Sequence, residues 1–316
     1  MLHLRLIVPA DRTERVVDTV ERAVGTTHIA VLPGAARSPA GDLVLCDVAR
    51  EAGHELIGRL RELGIDRDGA ISVEPIDLTL SRRADQAEHE APGEAADAVL
   101  WEQLTEATNE ESTLTVTYLA FLTLATMIAA CGVVLDNAIL VVGAMAVGPE
   151  FGPLTGFSTA VVQRLPRLAW RSLVALLVGF TVAMLVTAAF GAFMASIGLF
   201  EKSMLQGARP NTHFIYRPDA FSFVVAVLAG IAGTLSLTSA KSGALVGVTI
   251  SVTTVPAAAN AAVAFSYSEF RQAWGSGEQL LLNLLGIVLA GTLTLFVQKW
   301  AWSVRLRRAT VRSPSS

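Results

Sequence analysis

The sequence predicts a polytopic α-helical membrane protein carrying a small α+β domain at its N-terminal end, and three observations support that prediction. The 316 residues are 52% hydrophobic and only 16% charged, against roughly 25% charged in an ordinary soluble domain, and the mean hydropathy is +0.52. Charge is segregated: residues 1–112 hold 11 Arg, no Lys and 22 Asp or Glu, a net of −11, whereas the remaining 204 residues hold 13 basic and 6 acidic groups, a net of +7. The third observation is six apolar runs of membrane-spanning length after Ser112.

The N-terminal head alternates between strand and helix periods. Leu2 to Val8 reads as a strand, Asp11 to Val24 as a helix with Val16, Val17, Val20 and Val24 on one face, and His28 to Leu32 as a strand. The order repeats with a strand at Leu43 to Val48, a helix at Glu51 to Leu63 burying Leu56, Ile57, Leu60 and Leu63, and a strand at Ala70 to Ile76. Gly25, Pro33-Gly34 and Gly64 mark the joins. This is βαββαβ, the ferredoxin-like split unit, with two helices on one face of a four-stranded sheet over residues 1–80. Many functions use that fold, so it names none. A sensory role follows only by analogy with regulatory domains that bind metabolites between paired copies. His28 and His54 read as ordinary strand and helix residues.

Residues 81–112 form the connector. Residues 81–96, polar and containing Pro92-Gly93, read as a linker, and Asp97 to Glu111 as a juxtamembrane helix that either spaces the head from the membrane or transmits a signal from it. The membrane domain occupies 113–302, and 303–316 form a basic tail.

A spanning helix needs about 20 mainly apolar residues. The candidates are Leu114 to Leu135, Ala138 to Gln163, Trp170 to Ile197, Ala220 to Ser239, Ser242 to Phe265 and Gln279 to Lys299; Ser172 to Phe200 and Ser242 to Ser268 carry no charge. Six spans place both termini on one side. Arg164, Arg167, Arg171, Lys241, Lys299, Arg305, Arg307, Arg308 and Arg312 lie on that side, against Lys202, Arg209, Arg217 and Arg271 on the other. The basic excess assigns the termini to the cytoplasm and the connection Leu199 to Asp219 to the outside. Within that connection Arg209, His213, Tyr216 and Arg217 read as exposed loop charge, with an anion-attracting mouth as the functional alternative. Lys241 reads as an interfacial residue whose amine reaches out to water.

Two spans are interrupted. The second carries Gly148-Pro149 and Gly152-Pro153 around Glu150, and the fifth carries Pro256 and Asn260. Proline removes a backbone donor and disturbs the preceding turn, and backbone groups freed at membrane depth must be satisfied by protein or by a watery cavity. Divided three and three, the spans form halves of opposite orientation, each with a broken middle helix, the arrangement of an inverted-repeat transporter. Proline kinks serving packing alone are the simpler reading. Glu150 falls about 20 Å along its span from Asn137 at 1.5 Å per residue. A carboxylate there is costly unless it meets water, a partner or a proton. The pathway or ion-binding candidates are therefore Glu150, Asn137, Asn260, Asn283, Pro149, Pro153 and Pro256, with interhelical packing as the alternative for the three amides. The small-residue stretches Gly230 to Thr234 and Gly286 to Gly291 favour close helix approach.

Other classes are disfavoured. The acidic, lysine-free head has no footprint for phosphate backbones, so no nucleic-acid partner is expected. The chain shows no GxSxG, HExxH or phosphate-cradling glycine loop, so it is expected to be no enzyme. No metal or cofactor is expected either, since Cys46 and Cys131 have no Cys or His at ligand spacing, and two cysteines suit a reducing cytoplasm better than a disulfide framework. The first 16 residues lack the apolar core and cleavage site of a signal peptide.

Several stretches together resemble the DUF389 family of uncharacterised prokaryotic hydrophobic membrane proteins: LDNAILVVGAMAVGPEFGPLTG, the RPD before AFSFVVAVLAGIAGTLSLTS, LVGVTISVTTVPAAANAAVA, and LLLNLLGIVLAG. The resemblance implies the same order of head, linker and membrane motifs across most of the chain, and no activity. Against the family pattern, Glu150 stands where an apolar residue is usual and Val255-Pro256 where a double proline is usual, which ties any role of Glu150 to this chain. The expectation is a multi-pass, self-associating transporter or channel-like protein of a bacterial inner membrane, passing a small solute or ion, with a cytoplasmic regulatory head. The rival expectation is a non-transporting sensor or scaffold whose head binds a ligand and controls assembly.

Overall fold

The computed structural model describes residues 1–76, 78–91, 98–217, 219–239 and 253–312. It divides into two compact units, one built mainly on Met1–Gln103 and the other on Leu104–Leu237 and Lys241–Lys299.

The first unit has the expected connectivity. Strands β1 (Leu2–Val8), β2 (Thr26–Arg37), β3 (Ala40–Val48) and β4 (Ala70–Pro75) alternate with helices α1 (Thr13–Glu21) and α2 (Arg50–Glu62), with a single turn α3 (Ile65–Asp68) before β4. The sheet is antiparallel in the order β2-β3-β1-β4. Its register places Leu4 opposite Cys46 and Val73, and Leu6 opposite Val44 and Ile71. The period of two therefore sends Leu2, Leu4, Leu6, Val44, Cys46 and Val48 to one face, where Val16, Val20, Leu56, Ile57 and Leu60 cover them. Val24 departs from the expected stripe: α1 ends at Glu21, so Val24 lies in the following turn and is exposed.

The polar segment after β4 is not extended throughout. Arg82–Glu90 forms α4, which packs against β2 and β3 with Ala84 and Ala87 buried. Met1 donates to Glu88 at 3.0 Å, and His28 Nε2 meets Ser81 Oγ at 2.9 Å. Alanines every third residue supply a narrow apolar stripe too small to register as a hydrophobic run. Pro92-Gly93 and Asp97 lie outside the described residues, and α5 (Trp101–Glu111) forms the expected connector helix.

The second unit is helical: α6 (Val116–Val134), α7 (Ala138–Val147), α8 (Phe151–Gln163), α9 (Pro166–Ser196), α10 (Lys202–Gln206), a 3₁₀ turn at His213–Tyr216, α11 (Ala220–Thr238), α12 (Thr254–Ser266) and α13 (Phe270–Arg312). Four of these helices are long and apolar enough to cross a membrane, or five if α7 and α8, bent by 51° at their junction, count as one broken span. Of the expected fifth span, α12 covers the second half; residues 240–252, with Lys241, lie outside the described residues. The expected basic tail continues α13 as helix to Arg312.

Hydroxyls tie α6 to α9, through Thr187 and Thr126 at 2.9 Å, and the start of the unit to α9 through Ser172 and Ser112 at 2.9 Å. Small residues bring α11 against α13: a Cβ on Gly230 would lie 2.8 Å from the Ile287 carbonyl, and one on Gly286 2.9 Å from Ala226 Cβ. Such stripes allow backbones to approach where no solvent drives helices together. Large apolar side chains such as Leu185, Phe193, Phe221, Leu289 and Phe296 point outward, the reverse of a water-soluble surface.

Cys46 is fully buried, and burial pushes its thiol pKa up to about 12, so it should resist alkylation while the head is folded. In full-length protein carrying Cys131→Ser, Leu6→Ala should cost about 2–5 kcal/mol of head stability and raise the native labelling rate of Cys46 by ~10-fold or more, read by mass spectrometry. Equal rates in the two proteins would contradict this packing.

Candidate functional site

Two helices of the second unit begin in its interior, and both begin alike. α8 opens Phe151-Gly152-Pro153 and α12 opens Thr254-Val255-Pro256. Proline is tolerated in a first turn because the N–H it lacks would have no intrahelical acceptor there. Pro153 and Pro256 thus start helices instead of kinking them. The chain breaks at Gly148-Pro149, where neither residue is helical.

These two starts are adjacent. Glu150, 5% exposed, precedes α8, and its Oε1 accepts a hydrogen bond of 2.6 Å from Thr254 Oγ1 at the start of α12. Its Oε2 is buried and has no hydrogen-bond partner among the described residues. A Cβ on Gly148 would collide with that carboxylate and come within 2.8 Å of Val255 Cγ2, so glycine is what lets the break lie against α12. Positive helix N-termini favour a negative group between them. Next door, Thr253 Oγ1 accepts from Asn283 Nδ2 at 2.9 Å and from Gln279 Nε2 at 3.4 Å, both on α13. Gln279 Oε1 is buried and has no partner among the described residues.

The structure therefore gathers Glu150, Pro149, Pro153, Pro256 and Asn283 around the beginnings of α8 and α12. Asn260 is buried six residues further along α12, about 9 Å by helical rise, where its Nδ2 donates to Ser276 Oγ at 2.6 Å. Asn137 is elsewhere: exposed in the α6–α7 turn, it caps α7 by accepting from Ile139 N at 3.0 Å and Leu140 N at 3.2 Å. Thr253, Thr254, Gln279 and Ser276 were not singled out from the sequence. Hydroxyls and amides in apolar runs are common, and only the packing shows which face one another.

Arg209 reverses the expectation of exposed loop charge. It is 3% exposed, and its Nη1 and Nη2 donate to Asn260 Oδ1 at 3.0 Å and to Gln272 Oε1 at 2.7 Å. Burial lowers its pKa from the usual value, opposed by Tyr216 and Asp136, but a guanidinium remains charged. The connection that carries it is anchored by Asp136, which accepts from Thr212 Oγ1 at 2.8 Å and Asn211 N at 3.1 Å. The α6–α7 turn and the 199–217 connection therefore share one end of the bundle. Glu269 joins them there by pairing with Lys202 at 3.1 Å. At the other end Lys299 donates to the Val162 carbonyl at 3.2 Å, and Arg171 bonds Asn109 at 2.8 Å. An apolar hollow of about 590 Å³ on the flank, lined by Met184, Ala261, Phe265, Trp274 and Leu281 among others, holds one acid, Glu278, which accepts from Trp274 Nε1 at 2.6 Å.

In the head, Asp47 joins two histidines: His3 Nδ1 and His28 Nδ1 each lie 2.7 Å from one of its carboxylate oxygens. His28 sits at an irregularity in the β2–β3 pairing with φ 51°. Among the described residues no group of three His, Cys, Asp or Glu is arranged to hold a metal ion.

Long apolar helices, broken helices with polar starts and an outward-facing apolar surface define a multi-pass membrane protein. Residues 145–289 match the family model described as Domain of unknown function (DUF389), so the resemblance read from the motifs holds over the stretch that contains both helix starts. The chain is also 24% identical over 203 residues to an uncharacterized protein of Methanocaldococcus jannaschii, covering 64% of this chain and 61% of that protein. It thus spans under two thirds of the length of that relative. No solved structure matches.

Hydrogen bonds from Thr212 and Asn211 hold the Asp136 carboxyl below the usual carboxylate range, outweighing the opposing effect of desolvation. A lowered folded pKa gives stability that is complete above the unfolded value of about 3.9 and lost as pH falls through the folded value. The melting temperature of the detergent-solubilised protein should exceed that of Asp136→Asn by a constant margin above about pH 4, and the margin should close on further acidification. A margin independent of pH would remove this account of the anchor.

Proposed function

We propose that this protein is a transporter or channel-like protein for a small solute or ion, that its pathway runs past the paired starts of α8 and α12, and that Glu150 is the group whose charge changes during passage. The observation that carries this reading is the buried Glu150 carboxylate, with one oxygen bonded to Thr254 and the other unpartnered. An oxygen left without a donor is costly in an apolar interior. A proton or a passing cation would satisfy it.

The fuller architecture belongs to the same proposal. A fifth span that includes α12 brings the proposed count to six, divided three and three, and α8 and α12 each open with proline as the third residue. That shared opening supports the inverted repeat. Head and tail lie in the cytoplasm of a bacterial inner membrane, on the nine-to-four basic bias. Trp170 and Trp274, exposed near opposite ends of the bundle, suit the two interfaces. The head is regulatory, copies of the chain associate, and no reaction is catalysed.

Glu150→Gln keeps the shape and the acceptor for Thr254 while removing the charge. In proteoliposomes, pH-dependent flux of protons, sodium or potassium should be present with the parent protein and lost or made pH-independent with the variant, at unchanged particle mass and melting behaviour. Absence of flux with both proteins would favour the scaffold reading. Single cysteines at Ser203 and Ser313, in a background without the native two, test orientation. Ser203 should be labelled from outside intact cells and Ser313 only after permeabilisation, and the opposite pattern would invert the topology.

A further inference from the structure

The membrane body holds a buried guanidinium that forms no ion pair among the described residues, Asp136 acting on it only at longer range. The guanidinium of Arg209 donates to the amide oxygens of Asn260 and Gln272 and lies against Tyr216, and its Nε–H is buried with no acceptor among the described residues. After Ser112 the chain has six acids, and each accepts from groups other than Arg209. Asp136 holds Asn211 and Thr212, Glu150 holds Thr254, and Glu201 holds Ser203. Asp219 holds Ser222, Glu269 holds Gln206 and Lys202, and Glu278 holds Trp274.

A second cation is brought to the same place. The Tyr216 ring lies 4.6 Å from the Arg209 guanidinium carbon and 5.7 Å from that of Arg217. Arg217 is exposed whereas Arg209 is not, so positive charge leads from the surface of the 199–217 connection to the buried group. Two guanidinium groups sharing one ring repel each other, and a buried charge without a counter-charge is costly. Neither guanidinium forms an ion pair with an acid among the described residues, and Asp136 is one carboxylate near two cations.

We propose that Arg209 is the core of an anion-binding site, entered from the side bearing the 199–217 connection, and that its ligand is a small monovalent anion such as chloride, nitrate or a short carboxylate. The free Nε–H is the donor that the chain leaves for the ligand. Amide oxygens hold the other edge of the fork, fixing the guanidinium plane so that it cannot turn to follow an anion away. Arg217 raises the local anion concentration at the entrance. Asn260 links this site to α12, about 9 Å by helical rise from the Thr254 that holds Glu150, but the anion site needs no proton on Glu150.

The test is chloride binding to the full-length protein in detergent, read from the ³⁵Cl NMR linewidth against a gluconate background. The parent protein should give saturable excess broadening that nitrate and acetate displace. Arg209→Gln should abolish it, Arg217→Ala should weaken it several-fold, and Glu150→Gln should leave it unchanged. No saturable broadening with the parent protein, and no rise in its melting temperature with chloride, nitrate or acetate, would overturn the site even if Arg209→Gln fails to fold. Full binding by a folded Arg209→Gln would overturn it as well. Loss of flux in Glu150→Gln with chloride binding intact separates this proposal from the transport reading.

Discussion

Beginning a helix inside an apolar interior leaves its first N–H groups without intrahelical partners, and the membrane body does this twice. At α8 and at α12 proline in the third position deletes one donor outright, and a hydroxyl or carboxylate lies beside what remains. The two starts face each other and are joined side chain to side chain, with no side-chain cap on either helix. Glu150 precedes one helix and bonds the first residue of the other, and Gly148 keeps the gap narrow enough for that contact.

The remaining polar groups of the body extend from this pair. Asn283 and Gln279 reach Thr253 from α13, while Asn260, two turns along α12, connects to Arg209 and Ser276. One helix thus meets an acidic group at its start and a basic one at its middle, each with a buried atom lacking a partner among the described residues. In a core built mainly of Ala, Leu, Val and Phe, these incompletely bonded polar groups are the costly exceptions.

The head follows a different logic. Its sheet is closed on one side by α1 and α2 through strict alternation along β1 and β3, and the opposite face keeps polar groups, with Asp47 drawing His3 from β1 and His28 from β2 into one set of hydrogen bonds. The irregularity at His28 turns that ring out of the strand's ordinary alternation, and α4 is tied to it through Ser81. Carboxylate and hydroxyl partners fix the imidazole orientations, which gives these histidines a structural role.

What the sequence determined by itself is set by periodicity and length. Alternation of two fixed the strands and their buried faces, apolar runs fixed the long helices, and prolines beside glycines marked where helices restart, because each of these signals is local to a few turns of chain. Tertiary structure alone decided which polar side chains meet. Glu150 pairs with a threonine 104 residues away and Arg209 with an asparagine 51 residues away, and no local pattern encodes such partners. The same distance explains Arg209: its neighbours in the chain are polar and read as surface, yet it is buried because Asn260 and Gln272, from two other helices, offer it acceptors inside the bundle. Asn137 reads like the other amides at the edge of an apolar run, but the turn places its side chain on its own helix end, where backbone N–H groups within three residues satisfy it.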